Sequence, residues 1–291
     1  MKYEVYHRTS YTYSEVVSSC QNLACLSPAY FEDQIISEES LKIDPQPDFL
    51  NNFTDAFGNR RCYFNIPQEH EKLEIVSKFQ VQKLPKNDPM PGLTPLWQEV
   101  AFMCQNPSNE HEVLANEFVH PTAYTEVTPK ITEYALSSFK NDTTVLEAAL
   151  DLCNRIFQDF TFDAKATEVE SKPQMLIENK RGVCQDFAHF FIACMRAMKI
   201  PCKYISGYIL THPPAGKEKL FGVDASHAWV SVFCPMYGWV ELDPTNNSIP
   251  GYEHIKVAEG RDYHDIPPVK GIFTGNASHE LEIAVDVSPV F

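Results

Sequence analysis

Apolar and polar residues alternate along the N-terminal part of the chain. The odd positions from Tyr3 to Tyr13 are mainly aromatic or apolar and the even positions are mainly polar or charged, and Leu73 to Val81 repeats this pattern. Turn-forming residues lie between these segments at 44–47 and 55–59. Since a period of two is typical of half-buried β-strands, residues 1–85 are predicted to form a β-rich domain, a small β-sandwich.

Helical periodicity follows a predicted linker at 84–93, which is rich in proline and polar residues. Thr144 and Glu147 form a capping-box pattern ahead of apolar residues that recur every three or four positions as far as Phe157. Strand patterns then return in the last third of the chain. Residues 86–291 are therefore predicted to combine a helical segment with a later sheet, and the fold class expected for the whole chain is α+β.

One long apolar segment begins at a cysteine. Gly182 can form a tight turn before Cys184, and Pro201 ends the apolar run that follows. On a helix this run leaves a thin polar stripe that includes His189 and Arg196, so it is predicted to be a core helix whose stripe faces solvent or another domain. Cys184 then lies at the helix N-terminus, where the helix dipole stabilises a thiolate and exposed N–H groups can hold an oxyanion.

A predicted β-hairpin carries a histidine and an aspartate. The strand patterns that begin at His227 and end at Asp243 meet at a turn around Pro235. A loop at 234–236 would place the two side chains directly opposite each other, and a loop at 235–237 would make them diagonal neighbours on the same face. A shift of one residue would put them on opposite faces. The hairpin therefore permits a His–Asp pair in two of its registers.

These three residue types together fit nucleophilic catalysis on an amide bond. In such a catalytic triad, Asp243 would fix the orientation of the imidazole and stabilise its protonated form. His227 would take the proton of Cys184 and later donate it to the leaving amine. Sequence spacing alone does not bring Cys184 to the other two residues.

The segments that carry these residues resemble the transglutaminase-like superfamily. They occur in the order of its nucleophile, histidine and aspartate segments, with the strand between them also similar: 181–188, 204–208, 226–230 and 238–246. Residues 1–85 resemble the β-rich N-terminal domain of bacterial members, and two further stretches resemble their C-terminal part: 261–263 and 267–271.

The resemblance implies a papain-like α+β core, in which the helix bearing the nucleophile packs on an antiparallel sheet. It implies Cys184 as nucleophile, His227 as base and Asp243 as the orienting residue. The acyl acceptor stays open, because the superfamily includes cysteine peptidases, amidases and transglutaminases. The leading hypothesis is hydrolysis of a peptide or amide bond through a thioester acyl-enzyme. The alternatives are a transglutaminase, in which an amine resolves the same intermediate, and a non-catalytic scaffold that binds peptides.

Four further residues are candidates for substrate binding: Tyr208, Trp229, Asp262 and Tyr263. Trp229 adjoins the predicted site and could shield it from water, although packing in the core is the commoner role of tryptophan. Tyr208, Asp262 and Tyr263 could line the same cleft, or they could be ordinary strand and loop residues.

Composition narrows the possible partners and compartment. The 291 residues carry a net charge of −15, from 24 basic and 39 acidic residues without a basic cluster, so nucleic acid is not an expected partner. The predicted amide chemistry instead implies a peptide or protein substrate. No apolar run reaches the ~18 residues of a membrane span, and the N-terminus lacks the apolar core of a signal peptide. The nine cysteines contain no C-x-x-C pair. A cytoplasmic protein with reduced cysteines and without a metal or cofactor is predicted.

Overall fold

The computed structural model describes residues 1–86, 89–164, 172–212, 222 and 224–290. Its strands are β1 (Lys2–Val17), β2 (Ser19–Ser27), β3 (Gln34–Asp44), β4 (Phe49–Thr54), β5 (Arg60–Ile66), β6 (His70–Lys83), β7 (Thr161–Phe162), β8 (Arg181–Gly182), β9 (Cys202–Ile209), β10 (Ala225–Cys234), β11 (Gly238–Leu242), β12 (His254–Gly260), β13 (Val269–Thr274) and β14 (His279–Pro289). Its α-helices are α1 (Trp97–Gln105), α2 (Glu110–Asn116), α3 (Pro129–Leu136), α4 (Val145–Asp159), α5 (Pro173–Asn179) and α6 (Cys184–Ala197).

Two four-stranded antiparallel sheets form a sandwich that contains the N-terminal strands. Their strand orders are β14-β1-β6-β3 and β13-β2-β5-β4. Alternating apolar residues of both sheets, among them Phe64, Ile66, Leu73 and Ile75, make the core between them. The alternation along the first strand therefore has the physical cause that the sequence suggested, which is burial of one face.

The sandwich is completed by the C-terminal end of the chain. Strand β14 pairs with β1 from Tyr3 opposite Pro289 to Tyr13 opposite His279, and β13 pairs with β2. The predicted boundary at residue 85 lies just after β6, but the β-rich unit also includes strands from the predicted second domain. Such pairing between the two ends of a chain is not encoded in local periodicity, which specifies a strand and not its partner.

The remaining strands and helices form a mixed α+β unit, as predicted. Its sheet has the antiparallel order β11-β10-β9-β12, and α6 packs on β10 and β9. Helices α3, α4 and α5 surround α6, whose side chains Phe187, Phe190, Phe191 and Ile192 are buried. Burial on nearly every side explains why the helix is apolar almost all round. No helix in the described part of the chain is long and apolar enough to cross a membrane.

The polar stripe of α6 does not face solvent, so that part of the prediction is wrong. Arg196 is completely buried and its guanidinium donates hydrogen bonds to the carbonyl oxygens of Phe118 at 3.0 Å and Arg261 at 2.7 Å. His189 is also buried, and its Nε2 accepts from the backbone N–H of Tyr263 at 3.1 Å. The stripe is polar because its side chains hydrogen-bond to the backbone of neighbouring segments. Buried polar groups need such partners.

A group of charged side chains, four of them buried, joins the sandwich to the central sheet. This interface ion cluster consists of Asp33, Lys83, Lys86, Glu241 and Lys256. The Lys256 ammonium lies 2.8 Å from Asp33 and 2.9 Å from Glu241, and Asp33 also pairs with Lys83 at 2.7 Å. Lys86 pairs with both carboxylates. Each carboxylate therefore has at least two ammonium partners, as burial of charge requires.

Candidate active site

Cys184 lies at the first position of α6, as the sequence predicted. The side chain of Asp186 accepts a hydrogen bond from the Val183 N–H at 2.8 Å and so caps the helix. A Cβ at Gly182 would lie 2.8 Å from Asp186 Oδ2 and 3.0 Å from a methyl group of Leu176. Glycine therefore lets the chain pass closely over the helix end. Cys184 is half-buried, whereas the other eight cysteines are buried and all nine are free.

The hairpin adopts the second of the two registers that permit a His–Asp pair. Val230 lies opposite Leu242 and Cys234 opposite Gly238, which leaves 235–237 as the loop. Gly238 has a φ of +75°, a conformation that glycine adopts without strain. Asp243 follows directly after β11 and its side chain meets that of His227, with 2.7 Å between Nε2 and Oδ2.

Asp243 is fixed from several directions. It is fully buried, and its Oδ1 accepts from the backbone N–H groups of Thr245 at 2.9 Å and Asn246 at 3.2 Å. Its Oδ2 accepts from the side-chain amide of Asn246 at 2.7 Å as well as from His227. Burial alone would raise the pKa of Asp243, but hydrogen bonds from His227 and its other partners lower it well below the usual range. Asp243 is therefore ionised and oriented before any substrate arrives.

His227 connects this carboxylate to the cysteine. Its Nε2 is bound to Asp243 Oδ2, and Cys184 is close enough to help raise the pKa of the same ring. Burial favours the neutral imidazole, but hydrogen bonds to Asp243 and Cys184 raise the pKa of His227 to about 10. The three predicted residues are thus brought together in the order thiol, imidazole and carboxylate. A thiol, an imidazole and a carboxylate in this order are the groups that a cysteine nucleophile with a base and an orienting residue requires.

A second histidine, His254 at the start of β12, reaches the same carboxylate. Its Nε2 lies 3.1 Å from Asp243 Oδ2. Sequence patterns missed it, because its position depends on the pairing of β12 with β9. They also missed Asn246, although an Asp with an Asn three residues later is a recognisable turn signal.

The ligand atoms of His227, Asp243 and His254 lie within 4.8 Å of one another, so the group was considered as a metal site. Both imidazole N–H groups point at Asp243 Oδ2 itself. The carboxylate oxygen therefore occupies the point on which both nitrogens converge, where a shared cation would have to lie. The geometry fits a carboxylate with two N–H donors better than a metal centre.

Trp229 packs beside the two histidines. Its indole lies 5.9 Å from the ring of His227 and 5.3 Å from that of His254, measured between centroids. Its Nε1 donates to Glu241 at 2.8 Å, which links it to the interface ion cluster. Trp229 is completely buried, so it shields the His–Asp pair from one side.

The other predicted substrate-binding residues lie in different surroundings. Tyr208 is buried, and its hydroxyl is hydrogen-bonded to His7 of the sandwich at 2.7 Å. Asp262 is buried and accepts from the N–H of His264 at 2.8 Å. Tyr263 is partly exposed and packs against the same core as Cys184. Burial, followed by the influence of Cys184, raises the pKa of Tyr204.

Comparison with families of known proteins identifies both parts of the chain. Residues 3–82 match the bacterial transglutaminase-like N-terminal region, and residues 132–244 match the transglutaminase-like superfamily. The second range contains all three residues of the thiol–imidazole–carboxylate arrangement.

Individual relatives extend the likeness to nearly the full chain. An uncharacterized protein of Mycobacterium tuberculosis is 37% identical, over 99% of this chain and 93% of its own length. A protein-glutamine gamma-glutamyltransferase of Pseudomonas aeruginosa is 30% identical over 31% of this chain and 14% of its own. The crystal structure of a proposed cysteine protease from Cytophaga hutchinsonii superimposes with a TM-score of 0.77, with 21% identity over 99% of this chain and 90% of that one. That structure shares the fold.

Proposed function

The chain belongs to the transglutaminase-like superfamily, and we propose that it is a cysteine-dependent enzyme that hydrolyses peptide or amide bonds. The observation that carries this proposal is that one imidazole, His227, lies beside Cys184, which helps to raise its pKa, and is 2.7 Å from the buried Asp243. A thiol, a base and an orienting carboxylate are the groups that acyl transfer needs. The fold shared with a proposed cysteine protease is consistent with hydrolysis.

In the first half of the reaction Cys184 attacks the carbonyl carbon of the scissile amide as a thiolate. The carbon–nitrogen bond breaks, the imidazolium of His227 gives its proton to the leaving amine, and a thioester forms. The backbone N–H of Cys184 has no acceptor within its own helix because it lies in the first turn. It is placed to donate to the oxyanion, with the positive end of the α6 dipole behind it.

In the second half a water molecule attacks the thioester. His227 takes the proton of the water, the carbon–sulfur bond breaks, and the products are a carboxylate and the regenerated thiolate. Asn246 is solvent-exposed and its amide lies 3.4 Å from the His227 ring. Asn246 thus marks the side on which the His–Asp pair lies nearest to solvent.

A transglutaminase is the second candidate, because a protein-glutamine gamma-glutamyltransferase is among the relatives. It would form the same thioester and resolve it with an amine. The proposed substrate of either reaction is a peptide or protein. The nine free cysteines support a reducing compartment such as the cytoplasm.

The proposal is tested with a peptide library and a dansyl-cadaverine assay run on the same preparation, with Cys184→Ala as the control. Hydrolysis predicts new peptide termini that depend on Cys184, with little amine incorporated. If amine incorporation is the dominant reaction, transamidation replaces hydrolysis as the proposed function. Neither product, together with tight binding of peptides by both proteins, would favour the non-catalytic scaffold.

A further inference from the structure

We propose that His254 is a positioning residue that weakens the hold of Asp243 on the protonated form of His227, by sharing the same carboxylate oxygen. This inference rests on the proposed function, because it concerns the base of that reaction. His254 is buried, its Nε2 lies 3.1 Å from Asp243 Oδ2, and the His227 Nε2 lies 2.7 Å from the same atom.

Holding Asp243 in place does not require His254. Two backbone N–H groups bind Oδ1, and the Asn246 amide binds Oδ2 at 2.7 Å. The aspartate is therefore oriented by its own turn. What His254 adds is a further donor on the oxygen that already serves His227 and Asn246, and each donor takes part of the negative charge that the others receive.

Sharing this oxygen has a consequence for the proton transfer. The imidazolium of His227 must release its proton to the leaving amine, so a carboxylate that binds the imidazolium too tightly slows that release. Asp243 and Cys184 both stabilise the protonated ring, and its pKa is about 10. By donating a hydrogen bond to Asp243, His254 reduces the stabilisation of the imidazolium by that carboxylate.

The charges around His254 leave Asp243 as its main charged partner. From β10 it meets His227 and the uncharged Trp229, with the Trp229 ring at 5.3 Å. On its own strand, Lys256 is paired with Asp33 and Glu241 in the interface ion cluster. Its neighbour Glu253 is half-exposed and paired with His212 at 2.7 Å. Cys184 reaches the group through His227.

Three substitutions of His254 distinguish an effect on the protonation of His227 from an effect on packing. His254→Phe keeps a ring beside Trp229 but removes the N–H donor. Gln carries its amide nitrogen near the position of Nε2 and keeps the donor, whereas Asn is too short to reach Asp243 from the same backbone. The measurement is the pH dependence of kcat/KM for the best peptide substrate, whose alkaline limb reports deprotonation of the His227 imidazolium in the free enzyme.

We expect the alkaline limb to move up by about one pH unit in His254→Phe and His254→Asn, and to stay near the wild-type position in His254→Gln. An unchanged or lowered limb in folded Phe and Asn variants would overturn the proposal. If the Phe variant does not fold, the Asn and Gln pair gives the same contrast. Equal loss of activity at all pH values in the three variants would assign His254 to packing, which also overturns it.

A second readout does not depend on catalysis. The ¹⁵N chemical shifts of His227, assigned with a His227→Gln variant, report its protonation directly. The same upward displacement of its titration is expected in His254→Phe and His254→Asn. If the wild-type protein cleaves no amide, the proposed function fails while this titration still decides whether His254 competes for Asp243.

Discussion

Two clusters of titratable groups each include a buried carboxylate at the end of β11, Glu241 in one and Asp243 in the other, two residues apart along the chain. Glu241 is bound by the ammonium groups of Lys86 and Lys256. Asp243 is bound by the imidazole of His227, which also contacts a half-buried thiol. Both carboxylates have lowered pKa values despite their burial, that of Glu241 to about 2.

The two clusters differ in the cationic partners of their carboxylates, not in the carboxylates themselves. Although burial lowers the pKa of Lys256, its bonds to Glu241 and Asp33 raise it above the ordinary value, which suits the interface ion cluster to holding two parts of the fold together. An imidazole can exchange its proton with a neighbouring group. Only the cluster that pairs a carboxylate with an imidazole and a reachable thiol is suited to catalysis.

The largest expected effect comes from removing the thiol. Cys184→Ala should lower amide hydrolysis by roughly 10⁴-fold or more, because the nucleophile is lost, with little change in the free energy of unfolding. The matched control is Cys194→Ala, a completely buried cysteine on the same helix. It should cost about 1 to 2 kcal/mol of stability and leave kcat/KM of the folded enzyme near wild type. Equal loss of activity in both variants would show that Cys184 has no special role, and would contradict the assignment of catalysis to its cluster.

The second effect compares the two carboxylates directly. Asp243→Asn should lower kcat by about 10³-fold, because an amide N–H would face the imidazole where an acceptor is needed. Glu241→Gln should instead lower the free energy of unfolding by about 3 kcal/mol, because it leaves lysine charges without a counter-charge. Urea unfolding and steady-state kinetics of both proteins measure the contrast. The account predicts that each substitution affects mainly one of the two quantities.

The contrast between the clusters was only partly predictable from sequence. Local patterns specified the helix start at Cys184 and two hairpin registers, of which the structure adopts the one with a loop at 235–237. They could not supply contacts made by distant strands. His254 reaches Asp243 only because β12 pairs with β9, and Lys256 reaches Asp33 only because the sandwich docks there.

The burial of Arg196 shows a second limit of the sequence patterns. A helical stripe of polar residues predicts a surface, but here it binds backbone carbonyls of other segments. A 3.6-residue period distinguishes polar from apolar faces and carries no information on whether a polar face meets water or buried backbone.

A third effect, small for each pH unit, distinguishes the clusters by the pH range in which they lose stability. Glu241 has a folded-state pKa of about 2 against an ordinary 4.5, so its contribution to stability is present above pH 4.5 and is lost as the pH falls toward 2. His227 has a folded-state pKa of about 10 against 6.5, so its contribution is complete below pH 6.5 and is lost as the pH rises toward 10. Within its window each group changes stability by about 1.4 kcal/mol per pH unit.

Unfolding free energies measured from pH 3 to pH 10 test this assignment. Glu241→Gln should flatten the acid side of the stability profile and His227→Gln the alkaline side. A variant that flattened the opposite side would show that the two clusters do not titrate as independent units.

The most direct test of the account is the rate at which iodoacetamide alkylates Cys184 between pH 5 and 8, with the labelled residue identified by mass spectrometry. The account predicts that Cys184 is alkylated before the eight buried cysteines and reacts rapidly already at pH 6, and that His227→Gln abolishes this early reactivity. A Cys184 that reacted in both proteins like an ordinary thiol, with a pKa of about 8.5, would contradict the thiolate–imidazolium pair on which the proposed function depends.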